Sequence, residues 1–243
     1  MALIHSPRTV TDGLILALDA GNTKSYPGSG TTWSDLSGQS NNGTLVNGPT
    51  YSSADGGSIV FDGSNDYVDF GSNGASAVNG LSEVTVQIWY KSDSVGNNRG
   101  LIFGGTSNTH DNGIAVRFDS AGGSGGGTNV IKAGFGLHGS GGSNVNFIES
   151  SSNIQSTDWT FITVVCDLGT SIKLYKNAVE DTPTASSSSG QSSISNCDGL
   201  VVGYGKDQDE WDGKVSNVKI YNKALTASEI QQNYNALKGR FGL

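Results

Sequence analysis

Residues Thr160–Asp167 read TFITVVCD, and this run settles the fold class. Apolar side chains occupy both alternating sets of positions, with Ile162 and Val164 in one set and Phe161 and Val165 in the other. Successive side chains of a β-strand point to opposite faces, so a strand that is apolar on both faces is covered on both. The run therefore predicts a central strand in the deepest part of a core.

Similar strand-like runs follow one another along the rest of the chain, separated by clusters of Gly, Asn, Ser and Asp. Short strands at such spacing are typical of an antiparallel sandwich, whereas βαβ folds alternate strands with long helical patterns. The further predicted strands are 14–18, 58–62, 67–70, 83–91, 100–103, 114–118, 130–135, 171–176, 200–202 and 215–221. Three Gly- and Ser-rich segments, 121–128, 139–144 and 186–193, are predicted to be loops. We expect an all-β sandwich.

Two segments have patterns of their own. The predicted strand 83–91 alternates apolar and amphipathic residues, which indicates that one of its faces is buried. The single predicted helix is C-terminal: Thr226 and Glu229 form a capping box, Leu225 and Ile230 a hydrophobic staple, and Gly239 ends the helix. We expect this helix to close one edge of the sandwich.

Length, composition and charge narrow the class of protein. The 243 residues, 36 of them Gly, fit one domain from 13 to 243, preceded by an N-terminal arm, 1–12, that can dock on a neighbouring subunit. A net charge of -8 argues against nucleic acid, whose phosphates demand clustered Lys and Arg. No apolar run approaches the roughly 20 residues of a membrane-spanning helix, and the first residues lack the apolar region of a signal peptide.

The two cysteines, Cys166 and Cys197, leave two readings open. A disulfide requires α-carbons within about 7 Å of each other. The sequence favours free thiols instead, because Cys166 lies in an apolar strand and Cys197 in a polar loop.

The acidic segment Asp207–Gly213, DQDEWDG, is the one place where catalysis would have to lie. A retaining glycosidase needs two carboxylates about 5 to 5.5 Å apart, and strands offer such pairs as alternating acids. Here the acids precede the last predicted strand rather than alternate along one. We therefore expect no enzyme activity, and a cation site or a solvated turn are the alternatives for this segment.

Calcium is the one cofactor that the sequence suggests, because hard cations take several oxygen ligands from Asp- and Asn-rich loops. The candidate ligands are Asp19 after the first strand, Asp62 and Asp66 around a predicted hairpin, and Asp212 before the last strand. The same composition is typical of tight turns, which remain the leading interpretation of 62–66.

Aromatic side chains are candidates for sugar binding, since a ring can stack on the apolar face of a pyranose while Asn and Asp bond its hydroxyls. A core position is the commoner role for any one ring. Tyr204 and Trp211 flank a polar loop, and with Asp207 and Asp209 they form the predicted ligand site. The other ring candidates are Trp89, Tyr90 and Trp159.

Three stretches give the chain a family resemblance. They are 35–45, with DLSG and NNGTL; 57–68, with GSIVFDG and DYV; and 211–230, with WDGKV and VKIYNKALTASEI. On these the chain resembles the laminin G-like branch of the concanavalin A-like lectin/glucanase superfamily. The resemblance implies a two-sheet antiparallel jelly roll, often with calcium at one edge and with glycan or protein ligands. The paired glutamates of the glucanase members find no match, which again favours a non-enzyme.

The flanking stretches 19–33 and 233–242 are similar to proteins of marine tailed bacteriophages. This resemblance implies a virion protein, either a capsid decoration or a tail or fibre component, that contacts other virion proteins, forms a homo-oligomer on the particle and attaches to cell-surface glycan. A free carbohydrate-binding module or adhesin is the first alternative, and a glycan-degrading enzyme the second.

Overall fold

The computed structural model describes residues 8–96, 99–105, 113–119, 129–136, 146–151, 154–188, 191–195, 197–205 and 210–243. The strands in these ranges are β1 (Leu14–Asp19), β2 (Thr32–Trp33), β3 (Gly43–Val46), β4 (Thr50–Ser52), β5 (Ser58–Asp62), β6 (Tyr67–Asp69), β7 (Glu83–Ser92), β8 (Arg99–Gly104), β9 (Ile114–Asp119), β10 (Val130–Phe135), β11 (Asn146–Glu149), β12 (Thr160–Asp167), β13 (Ser171–Lys176), β14 (Val179–Glu180), β15 (Ala185–Ser188), β16 (Val201–Val202) and β17 (Asp212–Tyr221). The helices are α1 (Gly71–Val78) and α2 (Ala227–Leu237), and 3-10 turns span Ala54–Gly56 and Lys238–Phe241.

The strands form two antiparallel sheets. Sheet A has eight strands, in the order β14-β13-β12-β7-β17-β5-β4, with β1 alongside the second half of β17. Sheet B has nine strands, in the order β15-β11-β10-β9-β8-β16-β6-β3-β2. The predicted fold, an all-β two-sheet jelly-roll sandwich with a short C-terminal helix, is confirmed.

The main core lies between the sheets. Every second residue of each long strand points into it: Val84, Val86 and Ile88 of β7 face Val116 and Phe118 of β9 across the sandwich interior. The predicted central strand, β12, pairs with β7 on one side and β13 on the other and is buried on both faces, as its pattern indicated.

A second core covers the outer face of sheet A. Trp89 and Phe161 point outward from their strands and pack against Ile230 of α2, with Tyr234 and Phe241 completing the cluster. Helix α2 therefore covers a face of the sandwich, and the expectation that it closes an edge is wrong. For the same reason β7 is buried on both faces and not on one.

The cap of α2 forms as predicted. The side chain of Thr226 accepts a hydrogen bond from the N–H of Glu229, whose carboxylate accepts from the N–H of Thr226. The helix ends at Leu237 and continues into the 3-10 turn that contains Gly239. No helix within the described residues is long and apolar enough to cross a membrane.

The described part of the predicted N-terminal arm lies on its own chain. The N–H of Val10 donates to the buried Asn233 of α2 (2.7 Å), the Tyr221 hydroxyl donates to the carbonyl of Val10 (3.1 Å), and Gln232 donates to the carbonyl of Arg8 (2.6 Å). Residues 8–12 thus pack on the outer face of sheet A, while residues 1–7 lie outside the described ranges.

Both cysteines are free and buried in the main core. Burial, together with the neighbouring carboxylates of Asp167 and Asp198, raises the pKa of the Cys166 and Cys197 thiols to about 12. Cys197 lies in a loop, as its sequence context predicted, and is buried there. Asn79, at the end of α1, bonds both its N–H and its carbonyl.

Candidate functional site

The outer face of sheet B carries an aromatic pair that no described element covers as α2 covers sheet A. Tyr67 points outward from β6, because its neighbour Val68 points into the core. Tyr204 follows β16, and its partly exposed ring lies 5.8 Å from the ring of Tyr67, at 47° between planes. The two ring planes therefore form an open angle at the surface.

These rings line a pocket of about 600 Å³, here called the tyrosine pocket. Its lining residues are Asn47, Ser64, Asn65, Tyr67, Asp69, Phe103, Gly105, Gly199, Val201, Tyr204 and Glu210. The volume is within the range of small-molecule sites, about 300–1,000 Å³. Apolar side chains of β8 and β16 supply the floor, and the amides and hydroxyl of two neighbouring loops supply a polar rim.

Hydrogen bonds fix the polar side of the tyrosine pocket. Asn47 donates from Nδ2 to the carbonyl of Asn65 (2.8 Å), which ties the β3–β4 loop to the β5–β6 turn. Asp69 accepts the N–H of Gly71 (2.8 Å). Arg99 of β8 donates from Nη1 to the backbone carbonyl of Glu210 (3.1 Å). The rim is therefore preorganised, with aromatic faces beside hydrogen-bonding groups.

Two of the four predicted ligand-binding residues lie within the described ranges, and of these Tyr204 lines the pocket and Trp211 does not. Trp211 is fully buried: its ring lies 5.6 Å from Tyr90, edge to face, and 5.8 Å from Phe118, stacked. Its ring has no face to offer a ligand, which corrects the sequence-based expectation. Asp207 and Asp209 lie outside the described residues.

The remaining ring candidates are in the cores, as the commoner role for such residues implies. Trp89 and Tyr90 are fully buried, and Trp159 is 6% exposed, with its ring 4.7 Å from Phe241. Sequence reasoning missed Tyr67 and Phe103. The available signal was the alternation of Tyr67, Val68 and Asp69, which places a ring and a carboxylate on one face of a strand.

The four predicted calcium ligands do not form one site. Both carboxylate oxygens of Asp19 accept hydrogen bonds from Arg240, at 2.6 and 2.9 Å, and Oδ1 also accepts the N–H of Gly21. Asp19 lies beside Asn217, five residues along β17 from Asp212. This bidentate pair explains the position of Asp19 without a cation.

The other three aspartates meet at the β5–β6 turn. Asp62 and Asp212 are opposite each other on β5 and β17. Asp62 accepts the N–H of Ser64 (2.9 Å), Asp66 accepts the N–H of Asp62 (3.2 Å), and Asp212 accepts the hydroxyl of Ser94. Burial raises the pKa of Asp66, the N–H of Asp62 lowers it, and the Asp62 charge raises it. The bonds of Asp62 and Asp66 are those of a tight turn, and the bond of Asp212 ties β17 to Ser94, which follows β7.

Within the described residues, no group of three or more His, Cys, Asp or Glu side chains is arranged to hold a metal ion. Calcium binding stays a prediction.

Comparisons with known proteins agree with this architecture. Lectin-like domains share it, as two-sheet sandwiches with a pocket on one outer face. A family model described as the concanavalin A-like lectin/glucanases superfamily matches residues 62–231. The chain belongs to this family. No curated protein matches the chain.

Several solved structures share the fold. Domain 4 of an extracellular GH43 arabinanase from Geobacillus stearothermophilus, in complex with arabinotriose, is 18% identical, with 92% of this chain and 98% of that chain covered and a TM-score of 0.63. The binding domain of botulinum neurotoxin DC, in complex with SialylT, is 15% identical, with 94% and 52% covered and a TM-score of 0.67. The binding domain of Paraclostridial Mosquitocidal Protein 1 is 17% identical, with 93% and 52% covered and a TM-score of 0.66. This chain spans about half the length of the two toxin chains.

Proposed function

We propose that this protein is a glycan-binding module that binds through the tyrosine pocket and does not hydrolyse its ligand. One observation carries the proposal: Tyr67 and Tyr204 remain partly exposed, side by side, in a protein that buries its tryptophans. Exposed rings beside amide and carboxylate groups suit a sugar, which has both an apolar ring face and hydroxyls.

The proposal also accords with the structural neighbours. Domain 4 of the arabinanase was solved with arabinotriose, and a further structural neighbour is botulinum neurotoxin type C, whose cell entry depends on interaction with two ganglioside molecules. At these identities the likeness supports the scaffold, and the tyrosine pocket itself supports the ligand class.

The test compares two tyrosine pairs. Tyr204→Ala removes one ring of the pair in the pocket. Tyr51→Ala removes one ring of a second pair, with Tyr26 at 5.4 Å, that lies outside the pocket. On an immobilised glycan panel, we expect the unmodified chain to bind and Tyr204→Ala to lose at least about tenfold in affinity, or about 1.4 kcal/mol. Tyr51→Ala should keep its affinity. Equal losses in both variants, or no binding by the unmodified chain, would refute the proposal.

A separate experiment tests the proposal that the protein does not hydrolyse its ligand. Asp69 and Glu210 are the two carboxylate side chains among the lining residues, and Asp69 is bonded to a backbone N–H of its own loop. We expect no reducing ends to appear from any oligosaccharide that binds. Release that disappears in Asp69→Asn, Asp209→Asn or Glu210→Gln would establish the enzyme alternative instead.

We further propose that the module acts on a tailed-bacteriophage particle, as a decoration, tail or fibre protein present in several copies. The support is the sequence resemblance in 19–33 and 233–242. Particles purified from the native source should contain the protein by mass spectrometry and display it to antibodies on their surface. A protein recovered only as free monomers from the lysate would indicate a free carbohydrate-binding module.

A further inference from the structure

We infer that the tyrosine pocket selects neutral glycans over glycans that carry carboxylate or sulfate groups. This inference rests on the proposed function and adds the ligand's charge to it. The inference follows from the sign of the charges around the pocket. The geometry of the two rings alone does not determine that sign.

Among the residues that the structure describes, every charged side chain that lines the tyrosine pocket is acidic. Asp69 lies on β6, directly beside Val201 in the sheet, and Glu210 lies at the opposite rim, just before β17. The N–H of Gly71 holds Asp69 in place, so this carboxylate cannot easily turn away from an anionic ligand. An anion bound between the rings would meet two like charges in a partly desolvated space, where repulsion is stronger than in bulk water.

The cations of the neighbourhood do not reverse this sign. Arg99 donates to the carbonyl of Glu210 and is not among the lining residues. Arg117 and Lys132 share the outer face of sheet B, but each faces a carboxylate: Arg117 lies 2.6 Å from Asp119, and Lys132 lies 3.5 Å from the same group.

Glu149 is a second carboxylate beside Lys132, at a distance of 4.0 Å. The net charge of -8 for the whole chain has the same sign as the two lining carboxylates.

The experiment uses matched pairs of glycans and the full chain. Each pair consists of a neutral oligosaccharide and the same oligosaccharide carrying one terminal sialic acid or one sulfate. We expect the acidic member of each binding pair to bind about tenfold more weakly at low salt. The difference should shrink as added salt screens the charges.

Two variants assign the effect to the pocket. Asp69→Asn removes the charge and keeps an oxygen for the N–H of Gly71. Asp158→Asn makes the same change in net charge at an exposed position just before β12, in sheet A. Asp69→Asn should narrow the difference several-fold, and Asp158→Asn should leave it unchanged.

The outcomes separate the inference from the proposed function. Acidic glycans that bind as tightly as their neutral partners, or tighter, would overturn the inference and leave glycan binding intact. An equal response of the two variants would also overturn it. If no glycan of either kind binds, the proposed function fails and the inference fails with it.

Discussion

On the outer face of sheet A, the rings of Trp89 and Phe161 lie 5.0 Å apart beneath α2 and the C-terminal turn, whereas on the outer face of sheet B the rings of Tyr67 and Tyr204 lie 5.8 Å apart at the mouth of a pocket. Both pairs point away from the main core. The first is sealed by a chain segment that follows the last strand, and the second has no such cover among the described residues.

The comparison shows that an outward-facing aromatic residue acquires its role from the element that covers it. Trp89 contacts Tyr234 and Phe241 at 5.7 and 4.2 Å and is fully buried, so its ring stabilises the fold. Among the described residues, Tyr204 contacts one other ring and is partly exposed. Outward-facing rings are thus buried by packing on one face of the sandwich and left partly exposed on the other.

The largest expected effect is the removal of the central ring of the sealed face. Trp89→Ala leaves a cavity under α2 and should lower the free energy of unfolding by about 3–5 kcal/mol, as large-to-small core changes do. Urea denaturation measures the loss. If Trp89→Ala lowers the free energy of unfolding no more than Tyr204→Ala does, the ring on the sealed face contributes no more to stability than the ring on the open face, and the comparison fails.

A somewhat smaller loss is expected at the polar centre of the sealed face. Buried Asn233 accepts from the N–H of Val10 and donates to Gln87 (2.8 Å) and to the Tyr221 hydroxyl (3.0 Å). Asn233→Ala leaves these buried groups unsatisfied and should cost about 2–3 kcal/mol by the same measurement.

The matched control is Asn235→Ala on the same helix, where the side chain bonds only the exposed Gln231 (3.2 Å) among the interactions described. Its effect should stay within about 0.5 kcal/mol. Equal effects at the two positions would mean that the Asn233 bonds contribute little.

Lys219 gives the sealed face a dependence on pH. Burial lowers the pKa of this side chain to about 8; Asp19 raises the pKa and Arg240 lowers it. In the unfolded chain its pKa is about 10.4, so between about pH 8 and 10 the folded state has released a proton that the unfolded state still holds. The contribution of Lys219 to stability therefore rises through this window.

The measurement compares the unmodified chain with Lys219→Met, because other groups titrate equally in both. From pH 7 to pH 10 the stability of the unmodified chain should gain about 2–3 kcal/mol relative to the variant. Parallel stability curves for the two proteins would show that Lys219 keeps an ordinary pKa in the fold.

The smallest effect is expected on the open face. Tyr204→Ala should change the free energy of unfolding by less than about 1 kcal/mol, since its ring is partly exposed. A double-mutant cycle with Tyr67→Ala should give a coupling of about 0.5–1 kcal/mol, the value of one aromatic pair. A much larger coupling would indicate that the pair is structural and that the pocket is incidental.

The sequence predicted those strands and helices whose own residues form a recognisable pattern. The limits of β5, β10, β12 and β13 were predicted to the residue, because alternating or continuous apolar runs end at turn residues in each case. The cap of α2 was predicted for the same reason, since both partners of the capping box lie within four residues.

Elements that depend on partners elsewhere in the chain were missed. The residues of β15, ASSS, read as a loop and form a strand because β11 lies beside them. The sequence of α1, GSNGASAV, has weak helix propensity, and Ala75 and Val78 hold it by packing on the main core. Long-range partners, not local preference, decide such segments.

The candidate site shows the same division. Tyr204 borders a polar loop and lines the tyrosine pocket, but Trp211 borders that loop too and turns into the core. The hydrogen-bond partner of Asp19 is Arg240, 221 residues away in sequence. No local pattern predicts that pairing.

Both described ends of the chain lie on the sealed side of the sandwich. Arg8 is bonded to α2, and Phe241 stacks on Trp89. A sensor chip or a fused carrier attached through the C-terminus would hold the molecule on the face opposite the tyrosine pocket. Immobilisation through a C-terminal tag should therefore leave the face that carries the pocket directed outward.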